Sequence, residues 1–322
     1  MTGTIHGEEM LVINVPDWFW IVYHVIVAVF IAIDLLVAQR KPHEPSVKES
    51  LMWVAIWIGV GLSFGAIVFY YFGIEPGLLY ITAYTIEYSL SMDNLFVFAA
   101  IFTYFAVPFA YQHKTLYIGI ISAIFMRAAF IFAGLKLLEM FHWMVYVFGA
   151  VLMYSGYKLA AGVEEKVEPG RNPIVRAARK VLPITSDYVG SRFIVKNNGK
   201  WMFTPLIVTL VAIETTDVLF AFDSVPAVIA ITRNFFIAYT SNISAILGLR
   251  SLYFLLAAVM FRLKHLSKGL AIVLIYLGGK MIISGFGFHI PGWISMIIVF
   301  ALLGLAVLAS IIFKGEEEVE EE

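Results

Sequence analysis

Cysteine is absent from this 322-residue chain, and charged residues are scarce. Without cysteine the chain can form no disulfide and offers no thiolate ligand to a metal ion. Charged residues make up only 14% of the sequence, whereas an ordinary soluble domain holds about 25%. Hydrophobic residues account for 61%, and the formal net charge is −1. This composition excludes an ordinary soluble enzyme, and we expect no nucleic-acid partner.

Motifs of several other protein classes are also missing. There is no Gly-Lys-Ser/Thr phosphate-binding motif for a nucleotide-driven pump and no His-Glu-x-x-His pair for a zinc hydrolase. A serine peptidase motif is incomplete at Tyr154-Ser-Gly156, which lacks the first glycine of Gly-x-Ser-Gly. Met1 to Asp17 hold no Lys or Arg, so we expect the first apolar block to be a retained helix rather than a signal peptide. We expect neither catalysis nor a bound cofactor.

Apolar blocks long enough to cross a bilayer recur along the chain. A spanning helix needs about 20 mostly apolar residues. The blocks predict an all-α polytopic transmembrane bundle of about nine spans, which forms a single integral membrane domain over residues 1–322. The predicted spans are 18–37, 51–72, 78–107, 115–138, 142–160, 203–231, 235–261, 267–288 and 292–313.

Lysine and arginine are concentrated in every second connection. The connections after the first, third, fifth and seventh spans hold nearly all of them, whereas the alternate connections hold only Lys136 and Arg233. Because cytoplasmic loops are enriched in basic residues, this bias predicts an external N-terminus and a cytoplasmic C-terminus in the cell's inner membrane. The lipid bilayer is therefore an expected partner.

The longest connection, residues 161–202, is then cytoplasmic. Two short β-prone runs flank Asn197-Asn-Gly199, which predicts a small hairpin with a primed turn. As a functional element this loop would be a lid or gate, but we favour a solvated linker. The acidic tail, residues 315–322, is expected to be disordered.

An internal repeat relates two parts of the chain, about 78–160 and about 203–288. Asp93-Asn-Leu-Phe-Val-Phe98 matches Asp217-Val-Leu-Phe-Ala-Phe222, and an arginine and a lysine follow each aspartate in register. The Asp-to-Arg spacings are 34 and 33 residues, and the Arg-to-Lys spacings are 31 and 30. Each copy holds three predicted spans, so the second copy runs through the membrane inverted. In inverted-repeat transporters the substrate site lies near the midplane where the copies meet.

Acidic residues lie within the two matching spans, where each costs about 2.5–3.5 kcal/mol to insert. We select six candidate metal ligands, which are Glu87, Asp93, Asn94, Glu214, Asp217 and Asp223. Glu87, Ser91 and Asn94 share one helix face, whereas Asp223 points away from Glu214 and Asp217. On two straight helices the carboxylates cannot all meet. They either serve successive positions along a path, or the helices unwind locally, for example near Pro226.

Carboxylate, amide and hydroxyl oxygens are hard ligands that suit Mg²⁺, Mn²⁺ and Ca²⁺. Met92 adds a softer thioether, which would favour Mn²⁺ over Ca²⁺. Crowded carboxylates in a low-dielectric site take up protons when a metal leaves, so metal/proton exchange has a physical route. Arg127, Arg250, Lys158 and Lys280 are the basic residues of these spans. They act either as fixed counter-ions, the role we favour, or by exchanging partners during transport.

At these residues the chain resembles the TerC family of bacterial membrane proteins, which includes the Alx proteins and belongs to a wider superfamily resembling the LysE exporters. The resemblance rests on Glu87-Tyr-Ser-Leu-Ser-Met-Asp-Asn94 and on Glu214-Thr-Thr-Asp-Val-Leu-Phe-Ala-Phe-Asp-Ser-Val-Pro226. It extends over roughly residues 18–313. It implies export of manganese, with the acidic residues of both repeats as ligands.

The leading hypothesis is therefore a secondary transporter that exports a divalent cation, most simply Mn²⁺. An alternative is a membrane assembly or stress-response partner, associated with tellurium resistance, that does not transport. A further alternative is an intramembrane aspartyl peptidase that uses Asp93 and Asp217.

Overall fold

The structure is a computed structural model of the chain. It describes residues 2–5, 8–11, 13–38, 46–161, 173–197, 199–259, 266–288 and 290–312. Eleven helices and two hairpins are formed within these residues, in the order β1 Thr2–Ile5, β2 Glu8–Leu11, α1 Asp17–Ala38, α2 Val47–Phe72, α3 Ile74–Tyr104, α4 Phe109–Met140, α5 Met144–Ala160, α6 Pro173–Val181, β3 Ile194–Asn197, β4 Lys200–Phe203, α7 Pro205–Ile231, α8 Phe235–Ile246, α9 Leu249–Val259, α10 Leu266–Gly285 and α11 Gly292–Ile312.

The prediction of an all-α membrane architecture is confirmed. Four helical segments within the described residues are long and apolar enough to cross a bilayer, namely Val47–Phe72, Phe109–Met140, Pro205–Ile231 and Lys268–Gly285. Shorter apolar helices are present at Asp17–Ile33, Met144–Ala160, Phe235–Ile246 and Ile294–Ala306. The predicted acidic tail lies outside the described residues.

The seventh predicted span, 235–261, is not one helix. α8 ends at Ile246 and α9 begins at Leu249, with a turn at Leu247 and Gly248 between them. This break falls within Ile243-Ser-Ala-Ile-Leu-Gly-Leu-Arg250, which has one residue more than the matching segment of the first repeat, Ile121-Ser-Ala-Ile-Phe-Met-Arg127. A Cβ atom on Gly248 would lie only 2.9 Å from the Cβ of Trp57, so the bare backbone of the turn packs directly on α2.

α3 lies at the centre of the bundle and contacts α2, α7, α8, α9 and α11. Most of its side chains are buried, including Ile86 and Ile101, which are fully enclosed. α4 runs parallel to α7, because Ser122 meets Glu214 at one end of the contact and Gly134 meets Val225 farther along both helices. The acidic segments of α3 and α7 are therefore held next to α4.

α5 and α10 form a close antiparallel pair. A Cβ atom on Gly278 would lie 2.6 Å from the carbonyl oxygen of Gly149, and one on Gly156 would lie 2.7 Å from that of Ala271. Since no side chain separates the helices at these points, the two backbones are in direct contact, as is common for small residues in membrane helices. This line of contact, the seam of α5 and α10, joins the third helix of one sequence repeat to the third helix of the other.

The predicted hairpin around Asn197 is confirmed. β3 pairs with β4 in antiparallel register, and Gly199 has φ +80°, which suits the turn. Residues 173–204 are not the solvated linker that we favoured, because they fold onto the end of the bundle. Tyr188 donates its hydroxyl hydrogen bond to the carbonyl of Phe105 over 2.7 Å. The hairpin of β1 and β2 was not foreseen in the sequence.

Candidate functional site

The six candidate ligands lie on two neighbouring helices. Glu87, Asp93 and Asn94 belong to α3, and Glu214, Asp217 and Asp223 belong to α7. The side chain of Asp93 lies outside the described side chains. Both helices are continuous through these positions, and α7 remains helical across Pro226. The local unwinding that the proline suggested is therefore not found in α7.

Arg127 of α4 joins the two acidic segments. Its side chain is only 1% exposed, and its Nη1 donates a hydrogen bond to Oε1 of Glu87. Its Nη2 donates to Oδ1 of Asp217 over 3.2 Å. Nη1 also lies 3.4 Å from Oγ of Ser224. One guanidinium thus balances part of the charge of two carboxylates from different helices.

Glu87 is completely buried at this point. Ser91, one turn later on α3, donates a hydrogen bond to its Oε1 over 3.4 Å, which agrees with the predicted shared face. Among the described atoms, Oε2 of Glu87 and Nε of Arg127 have no hydrogen-bond partner. A buried charge-bearing atom without a partner is costly, so this cluster retains unused capacity to bind a polar group or ion.

Glu214 lies one helical turn before Asp217 on the same helix. Its Oε2 accepts a hydrogen bond from the hydroxyl of Ser122 on α4. Its Oε1 is buried and has no hydrogen-bond partner among the described atoms. Within the described side chains, no basic group forms a salt bridge with Glu214. This carboxyl is therefore held by a neutral group, in contrast to Glu87 and Asp217.

Asp223 makes a separate contact. Its Oδ1 accepts a hydrogen bond of 2.5 Å from Ser155 of α5. The expectation that Asp223 points away from Asp217 is confirmed. Asn94 is buried on α3, and within the described residues no hydrogen bond ties its amide to the cluster.

The described carboxyl groups therefore occupy three places, one at Arg127, one at Ser122 and one at Ser155. Across the described ranges, no group of three or more His, Cys, Asp or Glu side chains is close enough to hold a metal ion. The six-residue metal set remains a prediction, since Asp93 belongs to it. The arrangement agrees with the alternative of successive positions along a path.

Sequence reasoning missed two hydroxyl groups that contact these acidic side chains, those of Ser122 and Ser155. It also missed the hydroxyl of Ser224, which lies near the guanidinium of Arg127. Ser122 could have been found, because it lies in Ile121-Ser-Ala-Ile124, which is identical to Ile243-Ser-Ala-Ile246 in the second repeat. Lys280, which the repeat also marked, donates a hydrogen bond to the carbonyl of Ala230 over 3.2 Å. Its ammonium therefore lies near the C-terminal end of α7, where a positive charge is favourable.

Comparison with known proteins places these residues in a wider group. A model of the integral membrane protein TerC family matches residues 72–318. An uncharacterized membrane protein of Myxococcus xanthus is 43% identical over 293 residues, covering 91% of this chain and 92% of that protein. The Alx protein of Escherichia coli K12, provisionally described as a membrane-bound redox modulator, is 40% identical and covers 88% of this chain and 91% of its own. A membrane protein of Rickettsia felis is 38% identical, with 92% and 98% covered. No solved structure matches the chain.

Proposed function

The chain belongs to the integral membrane protein TerC family, and we propose that it is a secondary transporter that exports divalent metal cations, above all Mn²⁺, from the cytoplasm. The proposal includes the orientation given by the loop charges, in the inner membrane with the N-terminus outside. Its single strongest support is the buried pair of carboxylates, Glu87 and Asp217, that Arg127 joins.

The charge of this group favours a divalent cation. Glu87 and Asp217 carry two negative charges when deprotonated, and Arg127 is the positive charge bound to both of them in the described part of the chain. A divalent cation that takes the place of Arg127 neutralises both carboxylates, whereas a monovalent cation leaves one charge. Ionisable groups inside membrane segments ordinarily mark ion or proton pathways because they are costly to bury.

The ligand chemistry favours Mn²⁺ or another hard cation. The donors are carboxylate and hydroxyl oxygens, and the chain holds no cysteine. The absence of cysteine also means that thiol exchange is not available to this chain as a redox mechanism. Mn²⁺ itself is the substrate that the TerC family resemblance suggests.

In the proposed cycle, Arg127 exchanges places with the transported cation. The guanidinium neutralises Glu87 and Asp217 in the conformation described here. When a metal ion binds these carboxylates, Arg127 withdraws, and it returns when the ion leaves. The two carboxylates are then never left inside the membrane without a positive partner, which would be strongly unfavourable.

We propose proton exchange as the coupling, with Glu214 as the proton carrier. Its only described partner is the hydroxyl of Ser122, so it has no permanent counter-ion when the metal is absent. The same carboxyl can therefore hold a proton on the return step and a metal ion on the outward step. Export that neither moves protons nor responds to a pH gradient would exclude this coupling.

The inverted three-helix repeat is part of the same proposal. Several contacts support it. In the sequence repeat, Gly149 corresponds to Ala271, and Gly156 corresponds to Gly278. In the structure Gly149 contacts Gly278 and Gly156 contacts Ala271, so the repeat relates these two contacts between α5 and α10 to each other. The matching helix pairs α4 with α7 and α8 with α3 both pack closely. A two-fold axis that passes through the seam of α5 and α10 would explain both facts.

The direct test uses cells that lack their own manganese exporter and are loaded with excess Mn²⁺. Cell metal content is measured with the wild type, Asp93→Asn, Asp217→Asn and the loop control Asp187→Asn, whose side chain is exposed. The wild type and Asp187→Asn should lower cell manganese, whereas the two membrane variants should not. Equal export by all four proteins would refute the site, and movement of another ion alone would refute the substrate.

A further inference from the structure

The segment between α5 and α7 has a surface that the proposed transport site does not use. α6 packs on α7, and its Val175 is fully buried. Tyr188 is hydrogen-bonded to the carbonyl of Phe105 just after α3, and the ammonium of Lys114 lies 5.6 Å from the ring centre of Phe193. Because α3, α4 and α7 belong to the helix bundle, these contacts hold the segment at one end of it.

The outer face of the hairpin combines apolar and basic side chains. Lys196 pairs across the strands with Trp201, and Ile194 pairs with Phe203. Side chains alternate along a strand, so Ile194, Lys196 and Trp201 share the face opposite the buried Val195. Trp201 is 68% exposed and Ile194 is 50% exposed. Tryptophan beside lysine is typical of the membrane–water interface.

α6 has a similar composition. Ile174 and Val181 are seven residues apart and therefore share a face, and Val181 is 79% exposed. Residues 173–204 contain six basic side chains and a single acidic one, Asp187. The basic residues are Arg176, Arg179, Lys180, Arg192, Lys196 and Lys200.

We propose that α6 and the β3–β4 hairpin form a surface that binds anionic lipid headgroups at this end of the bundle. Apolar side chains enter the headgroup region, and the surrounding lysines and arginines bind the lipid charge. A second copy of the chain is a poorer occupant, since two copies of the same basic face repel each other. This proposal does not depend on metal transport.

The test exploits the absence of cysteine, because a single introduced thiol labels one position only. The full chain carries Ile194→Cys or, as the matched control on the opposite hairpin face, Asn197→Cys. Each is labelled with an environment-sensitive dye and reconstituted in phosphatidylcholine, with or without phosphatidylglycerol. Quenching is measured with spin-labelled acyl chains and with aqueous iodide.

With phosphatidylglycerol present, the dye at position 194 should be quenched by the acyl chains and shielded from iodide, and the dye at 197 should show the reverse. Lys196→Glu, which replaces the lysine beside Trp201 on the docking face, should lower the ratio of lipid-docked to free hairpin by about fivefold. Equal iodide quenching at both positions overturns the proposal, as does equal shielding with and without phosphatidylglycerol. Shielding in lipid-free detergent that rises with protein concentration would instead indicate a second copy and also overturn it.

Discussion

Arg127 offers the sharpest test of the buried site. Replacing it with glutamine leaves Glu87, which is completely buried, and Asp217 without their shared positive charge. Removing one partner of a buried ion pair typically costs about 3–5 kcal/mol, because the remaining charge stays desolvated. We therefore expect Arg127→Gln to melt at a clearly lower temperature than the wild type.

The matched control is Lys136→Gln, which removes a lysine that pairs with Glu139 over 2.6 Å at a half-exposed position. Such exposed pairs contribute about 0–1 kcal/mol, so this variant should melt close to the wild type. In the double variant Glu87→Gln/Arg127→Gln one uncompensated charge is gone, and part of the lost stability should return.

The same variants separate a fixed counter-ion from one that exchanges with metal. If the transported cation replaces Arg127, added Mn²⁺ should raise the melting temperature of Arg127→Gln more than that of the wild type, because the ion no longer competes with a guanidinium. The assay is thermal unfolding of the purified full-length protein, with Ca²⁺ and Mg²⁺ as comparison ions. An Arg127→Gln protein that melts like the wild type, or that gains no more from Mn²⁺, would refute the reasoning.

Three further predictions follow from the same contacts. Glu214→Gln should keep the fold, because the amide oxygen can still accept a hydrogen bond from the hydroxyl of Ser122. It should abolish the response of export to a pH gradient, measured in vesicles. An unchanged response would contradict the role of Glu214 as proton carrier. Gly278→Ala should destabilise the protein by about 1–3 kcal/mol, because its Cβ would lie 2.6 Å from a backbone oxygen of α5, while Gly279→Ala, with nothing within 4 Å, should be neutral or stabilising. Deleting residues 316–322 should leave manganese export intact, whereas a protein that works only as an assembly partner should lose its function.

The sequence allowed the helices and the acidic helix faces to be predicted because both depend on local chemistry. Apolar runs marked the long helices, apart from the break between α8 and α9. The spacing of Glu87 and Ser91 placed them on one face, where the structure finds a hydrogen bond. The charge of Arg127 marked it as a counter-ion for membrane carboxylates, although it did not show which carboxylates it would bind.

The contacts between distant segments could not be predicted in this way. Whether Ser122 faces Glu214, or Ser155 faces Asp223, depends on the rotation of whole helices about their axes. The sequence does not show whether a serine hydroxyl bonds a backbone carbonyl of its own helix or a side chain of a neighbouring helix. The break at Gly248 was missed for a related reason, since its cause is the close approach of Trp57 from α2.

The glycine contacts between α5 and α10 limit how this protein can change shape. At Gly149 and Gly278 the two backbones touch, so sliding one helix along the other would drive side chains such as that of Met153 into a main chain. A rotation about the line of contact meets no such obstacle. In the proposed transport cycle, α5 and α10 would therefore stay fixed relative to each other along their contact, and the pathway would open and close by tilting of α3, α4, α7 and α8 around them.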